Sequence, residues 1–197
     1  ITVMTLVLIE GLNVKCFAAG VGCVGGVLVA GALELLLRDQ IKMSGVLDSE
    51  WLYLYNLRKD NPIDLKAIIF AMIIVGAVGA VMDVAMSIAS SLCEINEKSP
   101  DLPARELLKS GLTIGRDIMG TMANTLVLAY IGSALCCMLL MVTYSSNVSQ
   151  ILNREQIAVE ILQALAGSIG ILAALPLTAI TSVLCLKPLN RIKRSVH

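Results

Sequence analysis

From Lys66 to Leu92 the chain runs 27 residues with one charged side chain in its interior, Asp83. At 1.5 Å per residue a helix of that length is roughly 40 Å long, more than the ~30 Å hydrocarbon core of a bilayer. A soluble core rarely needs such a run, so this block reads as a membrane span that tilts or projects beyond the hydrocarbon. Three more apolar blocks follow the same rule: 17–37, 119–143 and 157–185. Ile1 to Ile9 is too short to span alone and reads as the end of a helix. No basic n-region or small-residue cleavage site marks it as a signal peptide.

Composition supports this reading. Of the 197 residues 57% are hydrophobic and 15% charged, with a mean hydropathy of +0.83. Soluble domains are roughly 45–50% apolar and about 25% charged. Lys+Arg and Asp+Glu balance at 15 each, so there is no basic excess for nucleic acid. The expected fold class is all-α: a polytopic transmembrane helix bundle with short interfacial helices, forming a single membrane domain over residues 1–197. One interfacial helix is expected where Leu47, Trp51, Leu54 and Tyr55 share a face.

Most charges lie between the blocks and set topology. With the basic tail 186–197 (Lys187, Arg191, Lys193, Arg194) inside, nine Lys/Arg fall on the cytoplasmic side and six on the other. This bias favours a cytoplasmic C-terminus, although the basic connection 38–66 falls on the outer side. Asn147-Val148-Ser149 matches a glycosylation acceptor, a triplet common by chance. The six cysteines form no C-x-x-C pair and read as small hydrophobes. The only histidine is His197, which leaves no His-based dyad or zinc motif. No metal or cofactor is expected.

Three blocks carry a polar stripe. At about 100° per residue, Gly76, Gly79, Asp83, Ser87, Ser90 and Glu94 share one helix face. So do Asp117, Thr121, Asn124, Thr125 and Gly132, and so do Glu160, Gln163, Gly167, Gly170, Ala174 and Thr178. Polar groups facing hydrocarbon are costly, so the three stripes are expected to face one another. Their interior is either a dry packing interface or a water-lined path. In the 17–37 block, Ala18, Gly22, Gly26 and Ala30 recur every four residues, the spacing of close helix packing. Gly76, Gly79, Gly167 and Gly170 are packing candidates too.

Asp83 is the sharpest position. An ionised carboxylate that deep needs a partner or a proton. Either it hydrogen-bonds Thr121 or Asn124, or it binds protons or cations during transport. Ser87, Arg116, Asp117, Thr121, Asn124, Glu160 and Thr178 are the accompanying transport candidates. Arg116-Asp117 reads as lying at the mouth of the third span, and Glu160 as entering the fourth from the opposite side. Pro176 is either a kink or a place where the Leu172 carbonyl is free.

The run Gly76 to Ser90, GAVGAVMDVAMSIAS, resembles the signature of the YibE/F-like bacterial membrane proteins. Gly115 to Leu126, GRDIMGTMANTL, followed by Leu128-Ala129-Tyr130-Ile131-Gly132, is similar to a second family stretch. Gly167-Ser168-Ile169-Gly170 with Pro176-Leu177-Thr178, and Glu10-Gly11-Leu12-Asn13 with Lys15, match as well. The resemblance covers essentially the whole chain. It implies a multi-pass protein of the bacterial cell membrane and no settled activity. A fainter similarity to SecD/SecF and RND-type exporters places Asp83 and Glu94 at acidic positions of those proteins.

The residues leave two readings. One is a permease or transporter subunit coupled to protons or cations through Asp83. The other is a non-transporting scaffold or assembly partner, with a companion subunit or a homo-oligomer as partner in the bilayer. An intramembrane aspartyl protease is disfavoured because Asp83 follows Ala80-Val81-Met82 and not a G-x-G run. The chain reads as a non-enzyme.

Overall fold

The computed structural model describes residues 13–41, 64–144 and 153–195, together with 47, 51, 53 and 149. Four helices make up these segments: α1 (Val14–Ile41), α2 (Leu65–Lys98), α3 (Ala104–Tyr144) and α4 (Glu155–Ser195). Each is long and apolar enough to cross a membrane. The segment 1–9, most of the expected interfacial helix, the glycosylation triplet and the end of the basic tail lie outside the described residues.

The helices begin where the sequence offers caps. The Asp64 carboxylate accepts from the backbone N–H groups of Lys66 and Ala67 at 3.0 and 3.2 Å, which satisfies donors that open the first turn of α2. At its far end the Ser99 N–H returns to the Ile95 carbonyl at 2.9 Å. Pro103 then starts α3, its carbonyl accepting from Glu106 and Leu107. This start lies 15 residues before the expected span at 119. The polar stretch through Lys109 and Arg116 is therefore continuous helix.

Glycine contacts fix an up-down-up-down bundle. Gly22 lies against Thr178, and Gly26 against Gly170 and Ala174, so α1 and α4 run antiparallel. Gly26 also meets Val81, and Gly31 meets Ile74, which pairs α1 antiparallel with α2. Gly111 meets Leu92 and Gly115 meets Ile88, pairing α2 with α3; Gly167 meets Leu126, pairing α3 with α4.

Lipid is as apolar as a leucine side chain, so burial from water does not drive this packing. Close approach does, because dispersion falls steeply with any gap. Gly26 is the tightest point. A Cβ there would stand 2.7 Å from the Gly170 carbonyl oxygen and 2.8 Å from both Ala174 Cβ and Val81 Cγ1. Around this seam Ala18, Ala19, Cys23, Val81, Ala85, Ile171 and Ala174 form one buried cluster. A second, of Ala30, Ile69, Ile73, Ala77, Val159, Leu162 and Ala166, lies towards the other end, with Leu47 and Trp51 packed against it.

α1, α2 and α4 thus form a close trio, and α3 lies along α2 and α4. It is the peripheral helix: 6% of its apolar window is buried, against 50% for α4.

Candidate functional site

The three polar stripes do not share one interior: those of α2 and α4 meet only at one end, where Gln163 lies over Gly76. That of α4 faces inward: Gly167, Gly170, Ala174 and Thr178 are buried, and α1 presses on the last three. The Thr178 hydroxyl donates to the Ala174 carbonyl at 2.8 Å, and Thr181 donates to the Leu177 carbonyl at 2.6 Å. With the Thr178 hydroxyl occupied and its glycines in contact, the part of the stripe from Gly167 to Thr178 is a dry packing seam.

The stripes of α2 and α3 face outward instead. Asp83, Gly79, Arg116, Asp117, Gly120, Thr121, Asn124 and Thr125 are all exposed. Nothing stands within 4 Å of a Cβ built on Gly79, Gly120 or Gly132, so Gly79 makes no close helix contact. The hydroxyls on these stripes bond back to their own helices: Ser87 to the Asp83 carbonyl, Thr121 to Ile118 and Thr125 to Thr121, at 2.8–2.9 Å. The carboxylate of Asp83 has no hydrogen bond or ion pair among the described residues, and neither Thr121 nor Asn124 reaches it. The side chains of Arg116 and Asp117 are likewise without partners there.

Depth is set by the α2–α3 register. Gly111 opposite Leu92 and Gly115 opposite Ile88 mean that each step up α3 matches one step back along α2. Asp117 therefore lies near the level of Met86, and Thr121 near Met82. α3 runs 13 residues before Asp117, so the residue lies within the helix and not at its start. Two carboxylates, Asp83 and Asp117, and one guanidinium, Arg116, occupy about one turn of depth, well inside the apolar block of α2. The Gly76 and Ile88 contacts show that, going round α2 from Asp83, α3 is met before α1. Asp83 and Thr121 thus border the outer seam between α2 and α3.

A second polar group lies nearer the other end. Tyr130 of α3 and Gln163 of α4 both lean over Gly76, where a Cβ would stand 2.6 Å from the tyrosine oxygen and 2.8 Å from Gln163 Nε2. The Tyr130 hydroxyl oxygen is buried without a hydrogen bond of regular geometry among the described residues, as is Oε2 of Glu160. Both side chains line a cavity of about 340 Å³ between α3 and α4, otherwise walled by residues such as Ile131, Ala134, Ile161 and Leu165.

Tyr130 was not legible as a site residue, because one tyrosine in an apolar block gives no periodic signal. Its signal was indirect: Gly76 is small because two polar heads share its space. Glu34, fully buried between the helices, stood in the sequence only as an interruption near the end of a span. No group of three or more His, Cys, Asp or Glu side chains converges among the described residues.

The family model described as YibE/F-like protein matches residues 1–188. Among curated proteins and among solved structures nothing matches. The match takes in all three segments that carry polar stripes, and with the four apolar helices it makes this a membrane protein that belongs to the YibE/F-like family.

Proposed function

We propose that this chain is a subunit of a membrane transporter, with its path along the outward seam of α2 and α3. The supporting observation is the placement of Asp83 and Asp117: near one depth, exposed, and without a hydrogen bond or ion pair among the described residues. A carboxylate facing hydrocarbon is expensive, and intramembrane carboxylates usually belong to ion or proton pathways. An outward position means that the path is completed by another protein surface. Asp83 carries the coupling proton or cation; Asp117, Thr121 and Asn124 supply further oxygens along the same face. The substrate class stays open in this reading. The chain resides in the bacterial cell membrane with its C-terminus in the cytoplasm, as the Lys/Arg bias favours.

The experiment is proton flux in vesicles containing the full chain, driven by a potassium diffusion potential and read with an internal pH dye. The intact chain is expected to dissipate the gradient faster than protein-free vesicles. Asp83→Asn removes the titrating group and keeps its size, and it is expected to lower that rate at least about tenfold. Unchanged flux in Asp83→Asn removes the coupling role.

The scaffold reading is favoured by one observation, the dry α1–α4 seam, since a stripe that is all packing needs no path. It predicts intact-chain vesicles no leakier than protein-free ones.

A further inference from the structure

We propose that the outward face of α3 from Glu106 to Asn124 is the contact face of a symmetric dimer, covered by a second copy of this chain. The inference goes beyond the transport reading and does not rest on it.

The first argument is cost. Arg116, Asp117 and Asn124 lie on the side of α3 turned away from α2 and α4, and all three are exposed. The register with α2 places them at the depth of an apolar block. Arg116 and Asp117 stand five to six residues inside the end of that block, where a charged side chain that faces lipid still carries an insertion cost. A face with both, and with an amide about two turns on, is met by protein in preference to lipid.

The second argument is the pattern of charge, which decides what the protein is. At about 100° per residue, Thr113, Gly120 and Asn124 run in a line down this face. Arg116 falls roughly 50° to one side of that line and Asp117 roughly 50° to the other. They are adjacent in sequence and so nearly equal in depth. A two-fold axis along the membrane normal, passing in front of the line, exchanges the two sides at constant depth. It sets Arg116 of each copy opposite Asp117 of the other. An isologous contact requires such self-complementarity, and the paired charges become charge-assisted hydrogen bonds where each alone faced hydrocarbon.

The third argument is space. Nothing stands within 4 Å of a Cβ on Gly120, so a second helix can approach closely at the middle of the line. Beside it lies a shallow hollow bordered by Lys109, Leu112, Thr113, Arg116 and Asp117, relief into which a side chain of the second copy fits. The outer seam at Asp83 lies beside this contact, so the second α3 becomes the wall that the seam lacks within one chain.

The test uses two pools of the full chain, carrying donor and acceptor dyes, mixed into phosphatidylcholine vesicles at several dilutions in lipid. Energy transfer is expected to show a dilution-dependent dimer. Arg116→Asp and Asp117→Arg each place like charges opposite one another, and each is expected to weaken the dimer at least about tenfold. The double variant R116D/D117R exchanges the two sides and is expected to restore it to within about threefold of the original. A monomeric intact chain, single variants that dimerise normally, or a double variant no better than the singles would each overturn the proposal. Should the charge variants fail to insert, Thr113→Cys and Ile180→Cys are compared with a short bismaleimide against the unsubstituted chain. A dimer band above background from Thr113→Cys and none from Ile180→Cys supports the face. The reverse pattern, or an unlike chain captured at Thr113 in cell membranes with no self-linked product, overturns it.

Discussion

Gly26→Leu is expected to cost more than about 3 kcal/mol and to leave α1 unseated, because the side chain would enter space already held by backbone. The Gly170 carbonyl oxygen is 2.7 Å from where its Cβ would be. That oxygen belongs to a helix and cannot turn aside as a side chain can. Ala174 and Val81 close the other two directions, so relief would require α1 to move away from both α2 and α4 at once. Dispersion across the seam is most of what holds the trio in lipid, so separation forfeits contacts along the whole of α1. The matched comparison is Gly79→Leu. Gly79 sits in a run of the same composition, yet nothing approaches its Cβ position. There the helix gains up to about 1 kcal/mol from the loss of a glycine. The measurement is monodisperse yield and thermal unfolding of detergent-solubilised protein. Equal behaviour of the two variants would contradict the packing described here.

That pair of glycines shows how far the sequence carried the fold. Span number, helix class and the small-residue spacing of α1 follow from hydropathy and from a period of about 3.6. The facing of each stripe does not. A polar stripe states that some side of a helix is unsuited to lipid; it does not state which neighbour covers that side. For α4 the neighbour is α1. For α2 the described residues cover the stripe at Gly76 and leave Gly79 and Asp83 open, and for α3 they leave it open from Asp117 to Thr125. The expectation of one shared interior assumed that a single chain completes its own packing. The surroundings of Asp117 were hidden for a different reason. The apolar window began at Met119, while the helix begins at Ala104, and depth is fixed only by the contacts of Gly111 and Gly115 with α2. Tyr130 needed tertiary structure altogether, since it and Gln163 come from different helices and meet over Gly76 of a third.

Glu160→Leu is expected to stabilise the protein by about 1–3 kcal/mol. One carboxyl oxygen of Glu160 is buried with no hydrogen bond among the described residues, so the group has given up water without full replacement. Leucine has comparable reach, and the adjoining cavity of about 340 Å³ is walled largely by aliphatic side chains that can take it. Replacing an under-satisfied buried acid with a well-packed apolar residue is often neutral or stabilising. Glu160→Gln should gain less, because the amide keeps the same need for partners. Thermal unfolding in detergent measures both. A fall in stability for Glu160→Leu would mean that the carboxyl is held by groups beyond the described residues. A rise in stability together with a loss of proton flux is the informative result. It would show that an acid costly to the fold is kept beside Tyr130 and Gln163 for what it does, and it would extend the path from the outer seam at Asp83 to a second carboxyl between α3 and α4.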